Sequence, residues 1–112
     1  MKEFIAYLSC KIEEGKAETA ALLADGRRDD ANFAKVRTNI YDVCRTVSQV
    51  LINRPGAGIS AIQSQLERFH TEWSTSLDKA RQHDYVNGIA VEETKLAALD
   101  DIITHFQEMM KA

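Results

Sequence analysis

Helix-breaking residues are scarce in this 112-residue chain, which holds one proline, Pro55, and five glycines. Long stretches therefore contain nothing that interrupts a helix. No apolar run approaches the roughly 18 residues that a membrane-spanning helix needs. Two cysteines, Cys10 and Cys44, are too few for a disulfide framework. These absences favour a helical domain without a membrane partner.

A strong excess of charge is also missing, since the net charge is −3 at pH 7. Residues 26–58 carry six basic and three acidic side chains, a net of +3, whereas residues 1–25 have a net charge of −2 and residues 89–112 of −3. A nucleic-acid surface usually shows a denser lysine and arginine stripe than this. We predict a basic second helix between acidic neighbours. Weak nucleic-acid binding through Arg27, Arg28, Lys35 and Arg37 is kept as a third and less favoured class of function.

The first residues do not resemble a secretory signal. Phe4 to Cys10 is a short apolar run that Lys11 closes, and no small-residue cleavage site follows it. The cytoplasm is then the expected compartment, where thiols are kept reduced.

What the sequence does contain is apolar periodicity at spacings of three and four, which is typical of helices that bury one face. The stripes are Ile5, Leu8, Ile12, Gly15, Thr19 and Leu22; Phe33, Val36, Ile40, Val43, Val47 and Val50; Ile59, Ile62, Leu66, Phe69, Trp73, Leu77 and Ala80; and Ile89, Glu93, Leu96, Leu99, Ile103, Phe106 and Met110. We predict one all-α domain over 1–112, an up-down-up-down antiparallel four-helix bundle with helices at about 2–25, 30–53, 59–82 and 85–111.

Turn residues separate these segments. Gly26 is a candidate C-terminal cap for the first helix, and Asp29 or Asp30 a candidate N-terminal cap for the second. Residues 53–58, with one proline and two glycines, form the clearest turn. The start of the fourth helix is open: it begins near Asp84, with Gly88 inside it, or after Gly88. The earlier start is favoured because apolar residues continue the helical phase backwards.

Gly15 is unusual within a helix, where glycine costs about 1 kcal/mol relative to alanine. Counted from matched helix ends, Gly15 and Trp73 lie at similar heights, in one layer with Ile40 and Leu99. We predict that Gly15 makes room for the indole of Trp73, with a tolerated glycine on a wet face as the alternative.

Few residues have the spacing of a chemical site. Glu67 and His70 form a single Glu-x-x-His pair, which on the predicted helix faces falls toward the flanks. Glu14, Glu18 and Glu93 are carboxylates that could serve a magnesium-dependent hydrolase, and Glu93 alone interrupts an inward stripe. We predict no catalytic, cofactor-binding or metal-binding residue, and keep a metal-dependent hydrolase with helix-borne carboxylates as the alternative function.

A second set of apolar residues lies away from the predicted core and is the candidate interaction surface. It comprises Ala6, Cys10, Ala17, Ala21 and Ala24 on the first helix, with Tyr41, Cys44 and Leu51 on the second. High helix propensity alone would account for the alanines. The alternative is a flat surface that another helix can approach. We therefore predict a non-enzymatic protein–protein interaction module, either a homodimer or one half of a complex with an unknown protein.

Overall fold

The computed structural model describes residues 1–56 and 58–111, so Ala57 of the predicted turn lies outside the described residues. Four helices follow one another: α1 Lys2–Ala24, α2 Arg28–Asn53, α3 Ile59–Gln82 and α4 Val86–Lys111. No strand occurs in the described residues. The predicted all-α four-helix fold is confirmed, and α2 begins two residues earlier than expected.

The four helices form two hairpins that lie side by side. α1 packs mainly on α2 and α3 mainly on α4, and the hairpins join where α2 lies along α4. Within the described chain, no Cα atom of α1 lies within 8 Å of one in α3. In cross-section the four helices lie at the corners of a rhombus. α2 and α4 are close together across its short diagonal, and α1 and α3 lie far apart at the two outer corners.

The core lies where α2 and α4 meet the two outer helices. Its largest fully buried side chains include Phe4 and Phe106, whose ring centroids lie 5.1 Å apart in an edge-on contact. The buried apolar residues packed in one cluster are Phe4, Leu8, Ile12, Ile40, Tyr41, Cys44, Ile62, Leu66, Ala98, Leu99, Ile102 and Phe106. No described helix is long and apolar enough to cross a membrane.

The buried face of α2 differs from the predicted valine stripe. Its buried residues are Ala31, Ala34, Ile40, Tyr41, Cys44 and Ser48, and of these only Ile40 belonged to the stripe. Val50, predicted to face inward, is 54% exposed. α2 contacts all three other helices, and small side chains allow such close packing on several sides. A prediction that assumes one buried face per helix therefore names the wrong residues as the core of α2.

The buried face of α4 agrees with the prediction in part. Ala98, Leu99, Ile102 and Phe106 are buried, whereas Glu93 is exposed. Leu99 and Phe106 belong to the predicted stripe, and its members Leu96, Ile103 and Met110 are partly buried against the core. The prediction missed Ala98 and Ile102 and was wrong for Glu93.

Two helix ends share one capping geometry. After α1, Gly26 has φ +74, its N–H donates to Leu23 O at 3.1 Å, and the N–H of Arg27 donates to Leu22 O at 2.9 Å. These are the two hydrogen bonds of a Schellman motif. The predicted cap at Gly26 therefore matches the geometry.

After α3 the same two bonds form around Asp84, whose φ is +50. Its N–H donates to Arg81 O at 3.2 Å, and the N–H of Tyr85 donates to Ala80 O at 3.0 Å. An L residue pays a conformational cost in this region that glycine does not. The favoured start of helix 4 at Asp84 is thus two residues too early, although Gly88 does lie inside α4 as predicted.

The predicted cap of α2 is wrong. Arg27 occupies the N-cap position and makes no side-chain cap hydrogen bond. Asp30 instead pairs with the guanidinium of Arg27, with Nη2–Oδ2 at 2.7 Å, and Asp29 lies in the first turn of the helix.

Gly15 is buried against α2, not against α3. A Cβ atom added to Gly15 would lie 3.0 Å from both Cβ and Cγ2 of Thr38, and closer still to its Oγ1. Trp73 is on α3, which α1 does not reach. The prediction that Gly15 makes room for Trp73 is therefore wrong, because the residue that packs against Gly15 is Thr38. The glycine permits close approach of α1 and α2 at Thr38.

Candidate functional site

The carboxylates predicted for a metal-dependent hydrolase do not converge. Glu93 lies on the exposed side of α4 and pairs with Arg81 of α3, with Nη2–Oε1 at 3.8 Å. Glu14 pairs with Lys11 at 3.8 Å, and Glu18 with Arg37 of α2 at 2.6 Å. Each of the three is thus held by a cation of its own.

Histidine and cysteine add no shared ligand set. His70 lies 3.2 Å from the Asp100 carboxylate across the α3–α4 contact, and Glu67 accepts a hydrogen bond from Gln63 on its own helix. Over residues 1–56 and 58–111, no three side chains among histidine, cysteine, aspartate and glutamate lie close enough to hold one metal ion.

The two cysteines are free and differ in environment. Cys10 is exposed, and its thiol lies 3.6 Å from Glu14 Oε1. Cys44 is buried, and burial raises the pKa of its thiol to about 12. Because the thiolate is the reactive form, Cys44 is protected from chemistry at neutral pH.

A polar cluster joins three helices around Asp101 of α4. Tyr7 of α1 and Tyr41 of α2 both donate their hydroxyl hydrogens to Asp101 Oδ2. His105, one turn along α4, lies with Nδ1 3.5 Å from Asp101 Oδ1 and stacks on Tyr7 with ring centroids 4.1 Å apart. We call these four residues the tyrosine–aspartate cluster.

The environment of the cluster stabilises a charged Asp101 between neutral tyrosines. Partial burial acts to raise the pKa of Asp101, but the hydroxyls of Tyr41 and Tyr7, with the positive fields of His105 and Lys11, outweigh it and hold the pKa below its usual value. Burial, followed by the hydrogen bond to Asp101, raises the pKa of both tyrosines well above their usual value.

The geometry of the cluster fits a structural role. Two phenol donors on one carboxylate oxygen fix α1 and α2 relative to α4, and hydrogen bonds to charged groups contribute about 1.5–3 kcal/mol each when well shielded. Sequence reasoning missed the cluster because Tyr7 and Asp101 are 94 residues apart. The available signal was weak: two tyrosines and an acid, each on the flank of an apolar stripe.

The helix 1 part of the predicted interaction surface lies in solvent. Ala6, Cys10, Ala17, Ala21 and Ala24 are all exposed. At 100° per residue they centre on the side of α1 opposite the buried Phe4, Leu8 and Ile12. We call these five exposed residues the α1 outer stripe.

The helix 2 part of that surface is not continuous with it. Tyr41 is 6% exposed and Cys44 1% exposed, so both belong to the core, and Leu51 is half-buried against it. The prediction placed these three outside the main stripe of α2. Tyr41 and Cys44 instead lie on the buried face of α2, together with the small residues Ala31, Ala34 and Ser48.

Comparison of the chain with family models, with curated proteins and with solved structures finds no match.

Proposed function

We propose that the protein is a cytoplasmic interaction module that associates with a second copy of itself through the α1 outer stripe. The supporting observation is the exposure of five small residues along one face of α1, directly opposite its buried face. Scattered exposed alanines need no explanation, whereas small residues that share one face offer a helix a flat surface to approach. Glu13 interrupts the stripe between Cys10 and Ala17, so the flat surface has two parts.

The contact between α1 and α2 shows what small residues on α1 allow. Gly15 brings the backbone of α1 so close to Thr38 that no Cβ fits between them. The α1 outer stripe presents a similarly low surface on the other side of the same helix. A helix is therefore the natural occupant, because helices pack closest where their side chains are small.

The charges that flank the stripe permit pairing with an identical helix. Glu13 lies 3.7 Å from Lys16, and Glu14 lies 3.8 Å from Lys11, each glutamate one turn from its lysine. Two copies can therefore approach without a net repulsion between unpaired glutamates. In an antiparallel two-fold arrangement, Ala6 faces Ala21 of the second copy and Cys10 faces Ala17 of the second copy. The same register brings Glu13 opposite Glu14 of the second copy, so association requires Lys11 and Lys16 to neutralise these glutamates.

One helix from each copy makes a small interface, below the roughly 1,200 Å² typical of stable complexes, so we expect a weak dimer. Light scattering should give a monomer mass when dilute and a mass rising toward that of the dimer at about 0.5 mM protein, as for a dimer with a Kd in the millimolar range. Ala17→Glu should keep the protein monomeric, while Ala97→Glu, at an exposed alanine on α4, should behave as the wild type.

A cysteine variant tests the register. In Ala17→Cys, Cys10 and the new thiol are about 10.5 Å apart along one helix, too far for a disulfide within the chain. They face each other across the proposed interface, so mild oxidation should give a covalent dimer. Ala97→Cys should not. A monomer at every concentration, or equal cross-linking of both variants, would overturn the proposal.

A further inference from the structure

A cleft of about 320 Å³ lies between α1 and α2, next to the contact of Gly15 with Thr38. It is on the side of α1 that faces α2, not on the α1 outer stripe. Ile12, which is 1% exposed, closes its base. The polar side chains along it are Lys16, Lys35, Thr38, Asn39, Asp42 and Arg45. This volume is in the range of small-molecule sites.

Positive charge predominates in the cleft, with three cations and one carboxylate. Arg45 donates to Asp42 Oδ1 at 3.1 Å and to Ser9 Oγ at 3.3 Å, so this pair is neutral and fixed. Lys16 shares its charge with the exposed Glu13. Lys35 has no acidic group within 4.0 Å in the described part of the chain. The uncompensated charge is therefore that of Lys35.

The cleft has two chemically different ends. Lys35 and Arg45 are ten residues apart on α2, which is about 15 Å along the helix axis. The antiparallel contact of Gly15 with Thr38 places Lys16 near the level of Lys35. The two lysines therefore form a cationic end, with the Asn39 amide one turn from Lys35. Asp42 and Arg45 form a second end that carries both a hydrogen-bond acceptor and donors.

These two ends match a ligand with an anionic group and hydroxyl groups. Lysines bind phosphate as point charges, and an amide N–H adds a hydrogen bond. A carboxylate accepts hydrogen bonds from hydroxyl groups, and a guanidinium donates to their oxygen atoms. We propose that the cleft between α1 and α2 binds a small polyol phosphate, with its phosphate at Lys16 and Lys35 and its hydroxyl groups at Asp42 and Arg45.

The test uses glycerol 3-phosphate and inorganic phosphate as probes, each titrated into the whole protein at constant ionic strength set with NaCl. Amide NMR shifts should saturate, with the largest changes near residues 12–16 and 35–45. Glycerol 3-phosphate should bind more tightly than inorganic phosphate, because only the ester carries hydroxyl groups that can extend from a phosphate at the lysines toward the Asp42 carboxylate. Constant ionic strength separates site binding from general screening.

Substitution of the lysine without an acidic neighbour is the sharpest check. Lys35→Gln should weaken glycerol 3-phosphate binding about fivefold, the loss expected for one partly exposed charge contact. Lys79→Gln, at an exposed lysine of α3 outside the cleft, should bind as the wild type does. Circular dichroism verifies that both variants remain folded, as expected because both lysines are exposed.

Three results would overturn the proposal. They are shifts that do not saturate, equal affinity of Lys35→Gln and the wild type, and binding of inorganic phosphate as tight as that of the ester. Equally tight binding of inorganic phosphate would show that the cleft binds anions without recognising the hydroxyl groups of the ester. Because the cleft is separate from the α1 outer stripe, the Ala17→Glu variant should still bind the ester, whatever its mass.

Discussion

Replacement of Gly15 by alanine sets two opposing effects against each other. Alanine is the better helix former, so the change gains about 1 kcal/mol where space is free. At this position the new Cβ would lie 3.0 Å from Cβ and Cγ2 of Thr38 and closer to Oγ1. Rotation of Thr38 about χ1 cannot relieve the clash, because its own Cβ is among the close atoms. α1 and α2 must therefore separate.

The cost of such overpacking is typically about 1–3 kcal/mol. Set against the propensity gain, it leaves a net loss of about 1 kcal/mol in the free energy of unfolding. In a domain of this length that corresponds to a fall in Tm of about 4 °C. Urea unfolding followed by circular dichroism resolves a change of this size, provided that the dependence on urea concentration stays the same.

Two further variants isolate the contact. Ala20→Gly, at an exposed position of α1, measures the propensity term in this helix and should cost about 1 kcal/mol. In a Thr38→Ala background, Gly15→Ala should become neutral or stabilising, because two of the three close atoms are gone. The reasoning is refuted if Gly15→Ala stabilises the wild type by the propensity gain alone.

The remaining predictions concern the C-terminal ends of α1 and α3 and the tyrosine–aspartate cluster. Asp84→Gly should raise the free energy of unfolding by about 0.5–1 kcal/mol, because glycine adopts a positive φ without strain, whereas Gly26→Ala should lower it by about 1 kcal/mol. Urea unfolding measures both changes. An equal gain in the free energy of unfolding from Asp84→Ala would contradict the backbone explanation. The folded-state pKa of Asp101 is lowered, so its contribution is present above the unfolded pKa of about 3.9 and is lost as the pH falls through the folded value. Asp101→Asn should thus cost about 1 kcal/mol at pH 7 and much less at pH 2–3, and a pH-independent difference would show that the charge does not matter.

The sequence was most informative where a helix buries only one side. α3 lies at an outer corner of the rhombus, and its predicted stripe includes all three of its buried residues, Ile62, Leu66 and Leu77. α1, at the other outer corner, buries Leu8, Ile12, Gly15 and Thr19 as its pattern predicts. In both helices, the apolar periodicity separates a single buried face from a single exposed face.

For α2 the same reasoning fails for a physical reason. α2 is covered on several sides, so its most buried positions are those with least room, and they carry small residues such as Ala31 and Ser48. A hydrophobicity pattern ranks Val50 above them. Which residues of α2 are most buried depends on how closely the neighbouring helices approach it. The sequence of one helix does not reveal that distance.

The candidate sites divide along a similar line. The α1 outer stripe could be read from helical spacing alone, because its members lie on one helix. The tyrosine–aspartate cluster and the cleft with Lys35 each require residues from different helices. Their formation depends on the register between helices, which Gly15 and Thr38 set for α1 and α2 and which spacing within one helix does not reveal.

The two-hairpin arrangement has a consequence for folding. Most contacts join α1 to α2 and α3 to α4, and each pair is linked by only three residues. Chains dominated by local contacts fold rapidly, because little loop entropy is lost before contacts form. Each helical hairpin can therefore form independently of the other. The docking of α2 along α4, with Asp101 closing on Tyr7 and Tyr41, is then the step that joins the two halves of the chain.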